Sequence, residues 1–110
     1  MKIAITQVKQ ATVVTLEGDL DASTSAEAQA QILPLAESGA EIALDMSRVP
    51  YMSSAGLRML LATYRAIAGK GGKVVLVGLS SDLQDTMSLT GFLEFFTHCD
   101  TLDAGLAALA

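Results

Sequence analysis

Four consecutive apolar residues, Val74 to Val77, constrain the fold of this chain more than any other segment. The run is short and mostly β-branched, which is typical of a strand. A strand without polar alternation is buried on both faces, as in a sheet that has helices packed on it. The run therefore predicts a central strand in a layered domain.

Strand and helix patterns alternate along the rest of the sequence. The first fifteen or so residues contain two short strand patterns on either side of Lys9-Gln10. Further strand patterns occupy residues 41–46, 74–77 and 95–96, the last being the pair Phe95-Phe96 at a predicted sheet edge. Helix patterns begin near residues 25, 55, 81 and 102. The predicted order is ββαβαβαβα. It gives an α/β fold with a mixed four- to five-stranded sheet, an antiparallel pair at its start and about four helices.

Two local patterns define the first two helices. Thr24 and Glu27 have the spacing of a capping box, which predicts that the first helix begins near Ser25. In the second helix, apolar residues at three- and four-residue spacings predict the buried face. They are Leu57, Leu60, Leu61, Tyr64 and Ala68.

Length and charge exclude several classes of protein. The 110 residues suffice for one domain, assigned to residues 1–110, and the net charge of -5 argues against direct nucleic-acid binding. The longest uncharged stretches have nine residues, whereas a membrane helix needs about 20. We therefore expect no membrane insertion and a cytoplasmic location.

The usual catalytic and metal-binding patterns are incomplete. The segment from Met52 to Gly56 lacks the first glycine of the serine hydrolase motif G-x-S-x-G, and His98 is the one histidine. His98 and Cys99 are adjacent in a predicted strand, so they point to opposite faces and have no third ligand. We expect no enzymatic activity, no metal and no cofactor.

The pair Ser53-Ser54 directly precedes the second helix. Serine is a favoured N-cap residue, so a purely structural role is one interpretation. The other is a modification site, since free amides and the positive end of the helix dipole accommodate a phosphate. The two interpretations are compatible.

Four segments resemble one known family. Val49-Pro50-Tyr51-Met52-Ser53-Ser54-Ala55-Gly56-Leu57 resembles the signature loop and helix start of STAS domains, the anti-sigma factor antagonists of bacteria. Gly18-Asp19-Leu20-Asp21 resembles the family motif G-[ED]-[LI]-D. Gly69 to Lys73, followed by Val74 to Val77, resembles the family's Gly-rich turn and fourth strand, and Leu89-Thr90-Gly91-Phe92 resembles the next turn. The resemblance spans essentially the whole chain and implies a STAS fold.

The resemblance also implies a function. In the regulatory branch, the unmodified protein binds an anti-sigma factor that is also a serine kinase, which frees a sigma factor. Phosphorylation ends the complex, and a PP2C-type phosphatase resets it. Alignment to the family pattern D-[ST]-[STA]-G-[LIV] implies that Ser54 is the phosphoacceptor. Ser53 then stands where Asp is frequent and is an alternative acceptor.

The implied partner-binding surface contains Asp21, Ser53, Ser54 and Gly56, to which the charge pattern below adds Arg58. STAS domains also occur as constitutive adaptor subunits of membrane-associated ATPase or transport complexes. In that alternative there is no phospho-switch, and Ser54 only caps the helix.

Charge is unevenly distributed along the chain. Residues 46–81 carry +5 and the remainder carries -10. The cations are Arg48, Arg58, Arg65, Lys70 and Lys73. If the arginines lie near Ser54, they would guide an acidic kinase surface and partly neutralise the phosphate, with Arg58 one helical turn from Ser54. The alternative is an uneven but functionless set of solvated charges.

Overall fold

A computed structural model describes residues 1–37 and 39–110 of the chain. Its strands are β1 (Lys2–Val8), β2 (Ala11–Glu17), β3 (Glu41–Arg48), β4 (Lys73–Val77) and β5 (Thr97–Cys99). Its helices are α1 (Ala22–Ala36), α2 (Ser54–Gly69), α3 (Ser81–Leu89) and α4 (Leu102–Leu109), with a 3-10 turn at Phe92–Phe95. The order confirms the predicted ββαβαβαβα arrangement and the α/β fold.

The five strands form one mixed sheet in the order β1-β2-β3-β4-β5. β1 pairs antiparallel with β2, and all other neighbours are parallel. The carboxyl ends of β2 to β5 consequently lie at one edge of the sheet, which we call the carboxyl edge. The loops that lead into α1, α2 and α3 all start there.

Helices cover both faces of the sheet. One face packs against α1, α2 and α3 around a large core that includes Val74 and Leu76, and the other packs against α4 around Val75 and Val77. All four of these side chains are buried. The prediction of a central strand covered on both sides is therefore confirmed.

Helix α1 begins earlier than the sequence predicts. Its N-cap is Asp21 rather than Thr24, and Thr24 is the third helical residue of the capping box. Both residue types favour caps, so the local pattern fits two starting points. The first helix therefore starts at Ala22 rather than near Ser25.

Two further predictions were wrong in detail. Phe95 ends the 3-10 turn and Phe96 follows it, so the edge strand is displaced to residues 97–99, which pair with β4. Phe96 is buried against Tyr64, with ring centroids 5.4 Å apart. In α2, Ala68 is exposed, while Thr63 and Ile67 are buried, so the buried stripe is rotated from the predicted one.

Candidate functional site

Two loops are joined side by side at the carboxyl edge. The loop after β2 and the loop after β3 share three backbone hydrogen bonds: Gly18 N to Arg48 O (3.0 Å), Leu20 N to Tyr51 O (2.9 Å) and Ser53 N to Leu20 O (2.9 Å). These bonds continue the parallel pairing of β2 and β3 beyond the ends of the two strands. The N-termini of α1 and α2 are thereby fixed next to each other.

Asp21 caps the first of these helices. Its Oδ1 accepts hydrogen bonds from the backbone amides of Ser23 and Thr24, both at 3.1 Å, and from the Ser23 hydroxyl at 3.0 Å. The Thr24 hydroxyl oxygen in turn accepts from the Asp21 amide at 2.8 Å. The Thr24 amide, followed by the Ser23 hydroxyl, lowers the pKa of Asp21 below 3.8, because both stabilise its charged form.

The two serines at the start of α2 have different environments. Ser53 is the N-cap, and its hydroxyl accepts from the Gly56 amide at 3.3 Å. Ser54 is the first helical residue and is exposed. Its hydroxyl has no hydrogen-bond partner in the described part of the chain. The expectation that Ser54 caps the helix in the adaptor alternative is therefore wrong, since Ser53 does so.

Gly56 has a packing role beneath this surface. A Cβ atom at position 56 would lie 2.6 Å from the carbonyl oxygen of Leu20 and 2.8 Å from the Cγ of Met52. Only glycine lets the first turn of α2 approach the Leu20 loop this closely. Because Gly56 is buried, it shapes the partner-binding surface predicted from the sequence instead of adding a side chain to it.

Arg58 is exposed on α2, one turn beyond Ser54. It lines a shallow groove of about 340 Å³ between α1 and α2. The groove is otherwise lined by uncharged residues, namely Ala22, Ser25, Ala26, Gln29, Ala55, Met59 and Ala62. Arg58 is therefore the one charged residue among the described residues of this groove.

The other basic residues are not gathered around Ser54. Arg65 lies about 16 Å farther along α2 at 1.5 Å per residue. Lys70 and Lys73 lie at the opposite edge of the sheet, where Lys70 pairs with Glu37 at 3.6 Å. Arg48 lies at the carboxyl edge but pairs with Glu17 at 3.7 Å. The expected cluster of three arginines is therefore reduced to Arg58.

One exposed side chain at the carboxyl edge was not predicted from the sequence. Tyr51 is 54% exposed although it is a large aromatic residue, and it lies in the same loop as Ser53. The feature of the sequence that indicated its exposure was its position after Pro50 in a predicted loop. In addition, Ser80 and Ser81 at the start of α3 reproduce the cap and first-residue arrangement of Ser53 and Ser54.

The described residues hold no group of three or more His, Cys, Asp or Glu side chains placed to bind a metal ion. His98 is exposed on β5, and Cys99 is half-buried against the α4 side of the sheet. Within residues 1–37 and 39–110, none of the helices has the length and apolar character required to cross a bilayer.

Known proteins are similar to this chain in both sequence and fold. Residues 2–105 match the model of the STAS domain. The chain is 30% identical over 81 residues to the anti-sigma-B factor antagonist of Bacillus subtilis, an alignment that covers 74% of each protein.

Solved structures give the same result. A crystal structure of an anti-sigma factor antagonist from Mycobacterium paratuberculosis has a TM-score of 0.88 at 25% identity, covering 98% of this chain and 92% of that one. The Bacillus cell fate determinant SpoIIAA in its phosphorylated form has a TM-score of 0.76 at 19% identity, covering 99% of this chain and 100% of that one. The chain belongs to the STAS-domain family of anti-sigma factor antagonists.

Proposed function

We propose that this chain binds an anti-sigma factor that is also a serine kinase, and that phosphorylation of Ser54 ends the complex. When the unmodified chain binds the anti-sigma factor, a sigma factor is released from that anti-sigma factor. In the phosphorylation step, the Ser54 Oγ attacks the γ-phosphorus of ATP held by the kinase. The bond from that phosphorus to ADP breaks, and the hydroxyl proton passes to the kinase. A PP2C-type phosphatase hydrolyses the ester and returns the serine and inorganic phosphate.

The observation that carries this proposal is the division of roles between the two serines. Ser53 uses its hydroxyl in the helix cap, whereas Ser54 offers an exposed hydroxyl with no bond to break. A kinase therefore reaches Ser54 without unwinding α2. Ser53, which is half-buried, is the poorer acceptor of the two.

The surrounding surface suits a protein partner. Asp21, Ser53, Ser54 and Arg58 lie on two loops and helix starts that backbone hydrogen bonds hold together. Tyr51 adds an exposed aromatic side chain of the kind enriched at interface centres. Because this surface is fixed by the fold, the unmodified chain binds without first ordering a loop, which would cost affinity.

The free energies involved explain why phosphorylation weakens binding but does not destabilise the fold. A phosphate adds about -1.5 to -2 charges at pH 7, and next to a helix N-terminus it gains typically about 0.3–1 kcal/mol. At a docked surface, a misplaced like charge costs several kcal/mol, and each ~1.4 kcal/mol changes the affinity tenfold. We therefore expect a large loss of affinity with little change in stability.

The relatives support the proposal. The Bacillus subtilis relative is named for antagonism of an anti-sigma factor, and SpoIIAA has been solved in a phosphorylated form. Neither observation favours the adaptor alternative.

The test is to map phosphorylation in the chain purified from its host as wild type, Ser54→Ala, Ser53→Ala and Ser81→Ala. Ser81 is the matched control, because it is also an exposed first residue of a capped helix at the same edge. We expect Ser54→Ala alone to abolish the phosphopeptide. Phosphate that persists in Ser54→Ala would overturn the assignment of the acceptor.

A further inference from the structure

We propose that Arg58 is the internal counter-charge of phosphorylated Ser54, and that the phosphate thereby withdraws Arg58 from the partner. The inference rests on the proposed function in two respects, namely that Ser54 is the acceptor and that Arg58 belongs to the partner-binding surface. It assigns a regulatory role to a side chain that the partner contacts in the unmodified state. One guanidinium would then serve two anions in turn, a partner carboxylate and the phosphate.

Helix geometry places the two side chains together. Ser54 and Arg58 are four residues apart on α2, a spacing that brings Cβ atoms to about 5–6 Å on one helix face. Side chains in a helix lean toward its N-terminus. The long Arg58 side chain therefore extends over the preceding turn, toward Ser54.

Arg58 is also available to bind a phosphate. It is exposed and forms no ion pair with a described residue, in contrast to Arg48 and Lys70, which pair with glutamates. The alanine-rich lining of the groove between α1 and α2 leaves its side chain room to move. No acidic residue in the described part of the chain would have to release Arg58 first.

The charges around Ser54 make Arg58 the favourable side-chain partner of a phosphate. Asp19 and Asp21 lie on the loop that is bonded to the start of α2, and their carboxylates repel a phosphate on Ser54. The first turn of α2 contains no acidic residue. The loop joined to the start of α2 is therefore acidic, whereas α2 itself offers its N-terminal amides and Arg58, and we expect a phosphate on Ser54 to turn toward these.

The start of α3 provides an internal comparison. Ser81, like Ser54, is an exposed residue that follows a serine cap. The residue four positions beyond Ser54 is Arg58, whereas the residue four positions beyond Ser81 is Asp85. Asp82 adds a second carboxylate in the first turn of α3. Of these two similar helix starts, only that of α2 has a cation in position for a phosphate.

The consequence is that phosphorylation acts through competition as well as repulsion. In the unmodified chain, Arg58 is the charge that the groove offers to an acidic partner side chain. A planar guanidinium binds a phosphate through two parallel hydrogen bonds. Once these bonds form within the chain, the groove loses its charge, and the added negative charge repels the same partner group.

The test uses the chain alone, with phosphoserine incorporated at position 54 during translation, so it needs neither kinase nor partner. The second pKa of the phosphate is measured by 31P NMR titration in wild type, Arg58→Ala, Arg58→Lys and Arg65→Ala. Phosphoserine has a second pKa near about 6. A neighbouring cation favours the dianion and lowers this pKa.

We expect the phosphate pKa in Arg58→Ala to exceed that of wild type by about 0.5 or more, since a nearby opposite charge shifts a pKa by such amounts even at a partly exposed site. The phosphate pKa in Arg65→Ala should match that of wild type. The value in Arg58→Lys should lie between those of wild type and Arg58→Ala. Phosphoserine at position 81 should have a higher pKa than at position 54. Equal pKa values in wild type and Arg58→Ala would overturn the inference and leave Ser54 phosphorylation itself untouched.

Discussion

At the start of α2, two adjacent serines have different environments. Ser53 supplies the cap hydrogen bond to the Gly56 amide, and Ser54 makes none to a described residue. The cap of α2 is thus made by a neutral hydroxyl. Under the proposed function, stability depends on Ser53 and modification on the adjacent Ser54.

This division predicts unequal effects of two alanine substitutions. Ser53→Ala should lower the free energy of unfolding by about 0.5–2 kcal/mol through loss of the cap. Ser54→Ala should stay within about 0.5 kcal/mol, as is usual for an exposed position. Urea denaturation measures both, with Ser80→Ala as a second cap deletion. A Ser54→Ala variant as unstable as Ser53→Ala would show that the roles are reversed.

Gly56 gives a second prediction for a single residue. A methyl group at position 56 would meet the Leu20 carbonyl at 2.6 Å, so Gly56→Ala should cost about 1–3 kcal/mol, as overpacked sites do. Gly69 is the matched control on the same helix, because a Cβ there meets no heavy atom within 4 Å. Gly69→Ala should be neutral or slightly stabilising in the same urea assay. Equal losses in both variants would mean that the close approach is unimportant.

Among the helices and strands, α1 shows how a cap becomes sensitive to pH. The pKa of Asp21 is lowered in the folded chain, so the unfolded chain binds the proton more tightly. The stabilisation by Asp21 is therefore complete above its usual pKa of 3.8 and is lost as the pH falls through the lower folded value.

We expect Asp21→Asn to be less sensitive to acid than wild type. The difference in unfolding free energy between the two should be constant near neutral pH and should shrink as the pH falls below about 4. Thermal unfolding between pH 2 and pH 7 measures it. A difference that grows on acidification would contradict the cap geometry.

The helices and strands also show what the sequence could and could not predict. β4 was predictable because a short, uninterrupted apolar run is typical of a strand buried on both faces. The exact cap of α1 was not, since Asp21 and Thr24 both satisfy the local rule and the choice depends on the loop bonded to α2. The edge strand was displaced from Phe95-Phe96 because its position is set by pairing with β4, which is distant in sequence.

For the whole molecule, the sheet separates charges that are close in sequence. Residues 46–81 carry +5, but Lys70 and Lys73 lie at the opposite edge from Ser54. The sequence showed the surplus of positive charge but not its separation in space. The separation arises because α2 traverses the length of the sheet, between the cations near Ser54 and the two lysines. Arg58 remains as the unpaired cation beside Ser54 within the described residues.

Association with the partner should reflect this separation. We expect Arg58→Ala to slow association with the anti-sigma factor kinase and to reduce the dependence of the rate on salt, because steering by charge is screened by ions. Arg65→Ala should have a smaller effect, since it lies farther along α2. Stopped-flow measurements at several salt concentrations compare them. An unchanged rate and salt slope in Arg58→Ala would count against a role in steering.

The most direct test of the account is the affinity of the anti-sigma factor kinase for three forms of the chain: unmodified, phosphorylated at Ser54 and phosphorylated at Ser81. Titration calorimetry should show binding of the unmodified form and at least about a tenfold loss for phosphoserine at position 54, given the cost of a misplaced charge at an interface. Phosphoserine at position 81 should bind nearly as well as the unmodified form. Equal affinity of the unmodified and Ser54-phosphorylated forms would contradict the central claim.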